Sequence, residues 1–152
     1  MKYAPIDAIR IRNLIADIQN SMKEIGSLAE MSLKEFKSDS RNFGLAEHYF
    51  RRSLEGVLTI GTHILSRLPV RTKDYQEIIE SLGRNKIIPK DFAERNKKLA
   101  GYRNRMVHMY WEIKEEELHK ILNEHLGDID KFCQYYQVVL RKPQKFGMEI
   151  AE

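Results

Sequence analysis

The sequence predicts an all-α protein, an antiparallel bundle of four to five main helices in a single domain. Apolar residues recur at spacings of three and four along almost the whole chain, which is the period of an α-helix. No stretch alternates apolar and polar residues as a β-strand does, and no internal repeat or low-complexity run interrupts the pattern. A chain of 152 residues, 42% of them hydrophobic and 32% charged, is long enough to bury one core.

Three helices are predicted in the N-terminal half. The first extends from about residue 5 to residue 29 and carries an apolar stripe made of Ile11, Leu14, Ile15, Ile18, Met22, Ile25 and Ala29. Ser32 followed by Glu35 predicts a capping box, which starts a short helix ending near residue 38. A long helix is expected from about residue 45 to residue 68. It ends before Pro69, because a proline disfavours helical backbone in the residue that precedes it.

The C-terminal half contains three further predicted helices. A shorter one covers residues 73–82, with Gly83 as its expected C-terminal stop. Pro89 suits the first turn of the next helix, whose apolar residues are Phe92, Leu99, Met106 and Val107. The last helix covers about residues 114–141, and Gly127 could break or kink it.

These elements assign residues 1–142 to the bundle domain and residues 143–152 to a C-terminal tail, which is expected to be loose. Charged residues interrupt the N-terminus at positions 7, 10 and 12, and no stretch approaches the roughly 20 apolar residues that span a bilayer. A cytoplasmic protein is therefore expected. The single cysteine, Cys133, falls on an apolar stripe and is interpreted as a core residue.

Charge is distributed unevenly around residue 110. Residues 84–105 hold eight basic and two acidic residues, a net charge of +6, whereas residues 111–130 hold seven acidic residues and two lysines, a net charge of −5. The step is consistent with a nucleic-acid-facing patch beside a repelling flank. It is equally consistent with two solvated helix faces, so charge alone does not decide between them.

The stretch YRNRMVHMYWEI, residues 102–113, places chemically active groups on a helix that also carries an apolar stripe. On an ideal helix Arg103 shares a face with Leu99, Val107 and Tyr110, so the arginine needs an anionic or hydrogen-bonding partner. His108 lies about 140° round the helix from Arg103.

Three arrangements could bring Arg103 and His108 together: a distorted helix, a curled arginine side chain, or a second copy of the helix. A two-fold dimer is the simplest of these, because it places two such helices face to face in one cleft. His108 instead shares its own face with Asn104 and Arg105, and the Asn104 amide could hydrogen-bond the imidazole.

Imidazole and guanidinium groups together suit the cleavage of an RNA phosphodiester. A histidine can remove the proton of a ribose 2′-OH or protonate the leaving 5′-oxygen, and an arginine can hold the charge that develops on phosphorus. Metal-dependent hydrolysis fits less well, since there is no H-E-x-x-H or CxxC motif and Glu112 is the one carboxylate near His108. The same spacing also occurs in surface residues and in satisfied structural pairs.

The other candidate residues have both a functional interpretation and a purely structural one. Lys97 and Lys98 could contact phosphate or simply be solvated, and Trp111 could stack on a base or pack at the helix end. His63 is interpreted as a packed or hydrogen-bonded residue, with lining of a cleft as the alternative. The other histidines, namely His48, His119 and His125, are expected to be surface groups.

The 102–113 stretch resembles the Arg-x4–6-His signature of the HEPN superfamily of helical ribonucleases. The tyrosine two positions after the histidine is similar to the HepT branch of toxins. The upstream segments LEGVLTIGTHILSR (54–67) and DYQEIIESLGRNKIIP (74–89) also resemble that family, so the likeness covers most of the chain.

This resemblance implies a homodimeric, metal-independent ribonuclease toxin of a type VII toxin-antitoxin system, without a cofactor. It makes Arg103 and His108 catalytic and Asn104 supporting. Apart from the resemblance, the candidate RNA contacts are Lys97, Lys98, Arg105 and Trp111. The implied partner is an MntA nucleotidyltransferase antitoxin, which would neutralise the toxin by adding AMP to Tyr110.

Two other functions remain open at this stage. One is a non-catalytic HEPN module that binds a nucleotide or a nucleotidyltransferase partner. The other is a helical scaffold in which the motif is incidental. The intact Arg103 and His108 favour the enzyme, because a pure binding module does not need a titrating imidazole.

Overall fold

A computed structural model describes residues 4–108 and 113–151, and these residues confirm the all-α class. They form seven α-helices: α1 (Ala8–Glu30), α2 (Leu33–Lys37), α3 (Ser40–Leu65), α4 (Tyr75–Arg84), α5 (Lys90–Asn96), α6 (Leu99–His108) and α7 (Glu115–Arg141). A short 3₁₀ helix, Pro143–Phe146, follows α7. Among the described helices, none is both long and apolar enough to cross a membrane.

Short polar side chains define where the N-terminal helices begin. The Asp7 carboxylate accepts a hydrogen bond from the Arg10 amide at the start of α1. The predicted capping box of α2 is confirmed: the Ser32 hydroxyl accepts from the Glu35 amide at 3.1 Å, and the Glu35 carboxylate accepts from the Ser32 amide at 3.2 Å. Asp39 caps α3, so this helix starts five residues earlier than its apolar pattern indicates.

The core lies between the three long helices α1, α3 and α7, which all contact one another. A Cβ atom added at Gly56 of α3 would be 2.6 Å from Ile18 Cγ1 of α1, so the glycine permits close packing of these two helices. The Tyr136 side chain of α7 is fully buried, and its hydroxyl donates to the Val57 carbonyl oxygen at 2.8 Å. Cys133 is buried as predicted, and burial raises the pKa of its thiol to about 12.

Two predicted boundaries around α5 are wrong. Gly83 does not stop α4, which continues to Arg84; instead the glycine makes room for α5, since an added Cβ would lie 2.7 Å from the Ala93 Cβ. The predicted helix after Pro89 is two helices, because α5 ends at Asn96, whose buried side chain donates to the Phe92 carbonyl oxygen at 3.0 Å.

Two features of the C-terminal region also differ from expectation. Helix α7 continues through Gly127 without a break. The tail is ordered rather than loose: Met148 is buried, and a single parallel β-bridge joins Ile6 to Ile150. Its backbone bonds, from the Ile6 amide to the Glu149 carbonyl at 2.7 Å and from the Ala151 amide to the Ile6 carbonyl at 2.8 Å, hold the tail on the start of α1. The apolar residues of the tail supply the burial that a loose segment lacks.

Candidate active site

Helix α6 carries the Arg103, Asn104 and His108 predicted as site residues. Its buried residues Leu99, Ala100 and Met106 face the core, and the helix contacts both α3 and α4. The predicted modification site Tyr110 and the predicted RNA contact Trp111 lie outside the described residues.

Arg103 reaches across to α3, where the expected anionic partner is Glu55. The Arg103 Nε donates to the Glu55 Oε1 at 2.6 Å, and the Cζ lies 4.6 Å from the centroid of the Tyr75 ring. The arginine side chain is only 16% exposed, against 37% for Glu55. The ion pair and the aromatic ring together compensate the cost of placing a guanidinium at the edge of the core.

The sequence analysis identified neither Glu55 nor Tyr75 as a partner of Arg103, although each has a recognisable position in the sequence. Glu55 is the one acidic or basic side chain between Arg52 and His63, in a segment that is otherwise apolar or small. Tyr75 is the first residue of α4, and Asp74 fixes its position by accepting a hydrogen bond from the Glu77 amide at 3.0 Å.

The Asn104 side chain forms a hydrogen bond with Arg103 rather than with His108. The Arg103 Nη1 donates to the Asn104 Oδ1 at 3.0 Å, and no hydrogen bond joins Asn104 to His108 within the described residues. His108 is exposed at the last residue of α6. In the described part of the chain Nη2 of Arg103 has no hydrogen bond, and no hydrogen bond joins Arg103 to His108.

The basic and acidic stretches on either side of the motif pair with each other in part. Arg95 of α5 forms two hydrogen bonds with the Asp128 carboxylate, both at 3.1 Å, and Arg105 of α6 pairs with Glu117 of α7. Burial by itself would raise the pKa of Asp128, but the bonds and charge of Arg95 lower it overall. Arg95 is therefore not a free positive charge on the surface, and the predicted RNA contact Arg105 is already paired with a carboxylate.

The two predicted lysine contacts differ in their surroundings. Lys97 pairs with Glu94 at 2.6 Å on the surface, one turn away along the chain. Lys98 is exposed. Lys98 is therefore the freer of the two to meet an anionic ligand.

A buried polar cluster supports α6 from behind. His125 is buried, which corrects the expectation that it is a surface group, and its Nδ1 lies 3.1 Å from the Asn96 Oδ1. Its ring also contacts that of Tyr102, with centroids 5.8 Å apart. Burial lowers the pKa of His125, so the neutral imidazole is favoured.

The remaining histidines divide between surface and interior. His48 is exposed, as predicted. His119 is half-buried, with its Nε2 2.7 Å from the Met31 carbonyl oxygen, and so is not a simple surface group.

His63 is buried and hydrogen-bonded, in line with its structural interpretation, and it also lines a cleft. Its Nε2 accepts a hydrogen bond from the Asp7 amide at 3.1 Å, which joins α3 to the start of α1. The cleft has a volume of about 320 Å³, and its other lining residues are Arg10, Thr59, Thr62, Ser66, Arg67 and Tyr75. Tyr75 thus both lines the cleft and contacts Arg103.

The model of the HepT-like ribonuclease family matches residues 18–136 of the chain. This range includes Glu55, Tyr75, Arg103 and His108. A comparison with curated proteins finds no match.

Several solved structures share the fold. A cytosolic protein of unknown function, YutE from Bacillus subtilis, is 16% identical with a TM-score of 0.77, and the match covers 94% of this chain and 95% of that one. A toxin-antitoxin structure with AMP-PNP is 23% identical with a TM-score of 0.75, covering 84% and 97%. A tri-AMPylated Shewanella oneidensis HEPN toxin in complex with an MNT antitoxin is 24% identical with a TM-score of 0.74, covering 84% and 96%.

Proposed function

The chain belongs to the HepT-like ribonuclease family, and from that premise we propose that it is a metal-independent endoribonuclease, the toxin of a type VII toxin-antitoxin pair. The observation that carries the proposal is the setting of Arg103. Glu55, Asn104 and Tyr75 hold its guanidinium in one orientation, and its Nη2 has no hydrogen bond within the described residues. A group that is positioned in advance and has a donor to spare suits an anionic transition state.

The proposed reaction is an intramolecular transesterification of the RNA phosphodiester. The ribose 2′-oxygen attacks the adjacent phosphorus and loses its proton to an imidazole, while the bond from phosphorus to the 5′-oxygen breaks and that oxygen takes up a proton. The products carry a 2′,3′-cyclic phosphate and a 5′-hydroxyl. His108 supplies the proton transfer, and Arg103 stabilises the charge on the non-bridging oxygens.

The active unit is proposed to be a homodimer. Within one chain Arg103 is engaged with α3 and α4, whereas His108 is exposed at the end of α6. A curled Arg103 side chain would have to give up Glu55, Asn104 and Tyr75 to approach the histidine. A two-fold partner supplies the missing imidazole without breaking these contacts.

The partner is proposed to be a nucleotidyltransferase antitoxin that adds AMP to Tyr110. One structure with the same fold is described as a tri-AMPylated HEPN toxin bound to an MNT antitoxin. In this chain, added phosphate near the motif would place negative charge where RNA phosphate is to bind, and it would repel the substrate.

Cleavage of purified total RNA in the presence of EDTA tests the nuclease. We expect chelator-resistant cleavage that is lost in His108→Ala and in Arg103→Ala. The matched control is His48→Ala, which removes an exposed histidine outside the motif and should cleave like the parent. Equal activity of His108→Ala and the parent would refute the proposed role of the imidazole.

The non-catalytic alternative makes the opposite prediction for the same assay. A module that only binds a nucleotide or a nucleotidyltransferase leaves RNA intact whether or not EDTA is present. If the parent does not cleave but forms a complex with the nucleotidyltransferase, the alternative replaces the enzyme.

Two measurements test the assembly and the modification separately. Light scattering should give twice the 18.0 kDa chain mass at micromolar concentration, and a monomer throughout would refute the dimer. Intact mass of the chain co-expressed with the nucleotidyltransferase should increase by whole AMP units. Tyr110→Phe should remain unmodified, and modification of that variant would move the site elsewhere.

A further inference from the structure

A cleft with two arginines in its lining lies next to the candidate active site and shares Tyr75 with it. Arg10 of α1 and Arg67, just after α3, both line it. Thr59, Thr62 and Ser66 also line it, but the Thr62 hydroxyl donates to the Leu58 carbonyl oxygen at 2.8 Å and the Ser66 hydroxyl to the His63 carbonyl oxygen at 2.6 Å. The two arginines are therefore the main donors that the cleft offers to an anion, because guanidinium groups form charge-assisted hydrogen bonds with phosphate.

The two arginines are not neutralised by nearby carboxylates. Among residues 4–108 and 113–151, neither guanidinium forms an ion pair. The Arg67 Nε donates to the Pro5 carbonyl oxygen at 3.1 Å, and its Nη1 donates to the Ser66 hydroxyl at 2.7 Å, so neutral groups hold it in place. The Arg10 side chain makes no hydrogen bond in the described part of the chain.

The buried imidazole of His63, which lines the cleft, is affected by the charges of both arginines. Burial lowers the pKa of His63, and the charges of Arg67 and then Arg10 lower it further, against a smaller opposing effect of Asp7. The Asp7 carboxylate is occupied as the cap of α1, where it accepts from the backbone amide of Arg10. Both cations therefore act on the imidazole that lines the cleft, and the opposing effect of Asp7 is smaller than that of either arginine.

We propose that this cleft binds a phosphate group of the RNA substrate next to the one that is cleaved. Tyr75 connects the two places, since it lines the cleft and its ring lies 4.6 Å from the Arg103 Cζ. A single-stranded RNA that places its reacting phosphate at Arg103 can extend past Tyr75 and set a neighbouring phosphate between Arg10 and Arg67. This inference rests on the proposed ribonuclease function and names a binding site for its substrate outside the motif.

The probe is a 2′-O-methyl oligoribonucleotide, which lacks the attacking 2′-OH and cannot be cleaved. Its affinity for the full chain is measured by fluorescence anisotropy over a range of salt concentrations. Each phosphate contact in a single strand contributes about 0.7 to the slope of log K against log salt. We expect Arg10→Ala to weaken binding about 3- to 10-fold at low salt and to reduce the slope by about 0.7.

Arg12→Ala is the matched control, because Arg12 is exposed on the same helix two positions away and lines a different cleft. It should leave the affinity and the slope at the parent values. Arg10→Glu should weaken binding more than Arg10→Ala, since it places a like charge opposite the phosphate. Circular dichroism melting should match the parent for all three variants, as neither arginine side chain makes a hydrogen bond or an ion pair among the described residues and both are exposed.

The outcomes separate this site from the nuclease itself. Cleavage that depends on His108, together with parent-like RNA affinity of Arg10→Ala, would overturn the cleft and leave the proposed function standing. Equal losses in Arg10→Ala and Arg12→Ala would also overturn it, because they indicate unspecific charge attraction. If the parent binds no RNA and does not cleave it, both proposals fail.

Discussion

The ion pair between Arg103 and Glu55 makes replacement of Glu55 the sharpest test of how the site is organised. We expect Glu55 to orient the guanidinium, so its loss should slow cleavage although it removes a negative charge from the vicinity of RNA. The variants are Glu55→Gln, which can still accept from the Arg103 Nε, and Glu55→Ala, which cannot.

The expected stability effect follows from the exposure of the pair. Two unit charges about 4 Å apart, roughly the distance between the charge centres of such a pair, attract by about 1 kcal/mol in water and about 4 kcal/mol at the effective dielectric constant of a protein surface. Because Glu55 is 37% exposed, solvent screening and desolvation leave a net contribution of about 1–2 kcal/mol. Glu55→Ala should therefore lower Tm by roughly 2–8 °C in a domain of this size, and Glu55→Gln by less.

The expected effect on the reaction is larger. A displacement of about 1 Å in a catalytic group costs about 100-fold in rate, so Glu55→Ala should cleave about 100-fold more slowly under saturating RNA, and Glu55→Gln about 10-fold more slowly. Asp17→Ala is the control, because it breaks a more exposed ion pair, Asp17 with Arg52 of α3, that involves neither Arg103 nor another residue of the motif. Cleavage by Glu55→Ala at or above the parent rate would refute the orienting role and would instead mark Glu55 as a competitor of the phosphate.

Three further predictions concern stability measured by urea unfolding. His125→Gln should flatten the loss of stability that begins as the pH falls below about 6.5, the ordinary pKa of histidine. Burial lowers the pKa of His125, so its contribution to stability is complete above the ordinary pKa and is lost as the pH falls through the folded-state pKa. An unchanged pH profile would contradict this. Gly83→Ala should destabilise the protein by about 1–2 kcal/mol, because its methyl group would collide with the Ala93 methyl. Gly127→Ala should stabilise it by about 0.5–1 kcal/mol, because an added methyl there meets nothing within 4 Å. A change of the same sign in both variants would contradict the packing argument. Met148→Ala should cost about 2 kcal/mol since the side chain is buried, and no cost would mean that the tail does not pack.

Local sequence patterns predicted the elements whose signals are themselves local. The Ser32 and Glu35 capping box, the long apolar stripes of α1, α3 and α7, and the core position of Cys133 all follow from residues close together in the chain. The predicted helix boundaries were wrong where a contact between helices determines the end of the helix. Gly83 reads as a helix stop, yet it is retained inside α4 because another helix needs the space.

The candidate site divides in the same way. The sequence identified Arg103 as a residue that needs an anionic partner, and α6 places it accordingly, but the identity of that partner depends on the packing of α3 against α6 over 48 positions of chain. His125 appeared to be a surface group because charged residues surround it in sequence, whereas α7 turns it towards Asn96. The cleft beside Tyr75 combines residues from α1, α3 and α4, and no local pattern could assemble it.

The two arginines of α6 connect it to two different helices: Arg103 pairs with Glu55 of α3, and Arg105 pairs with Glu117 of α7. Helix α6 is itself short, and much of its anchoring is therefore supplied by its neighbours rather than by its own hydrogen bonds. Local opening of α6 has to release both carboxylates, so its amide protons should exchange with solvent in one cooperative event, together with the first turns of α7. Strengthening either pair would slow that exchange and would hold Arg103 in place for a larger fraction of time.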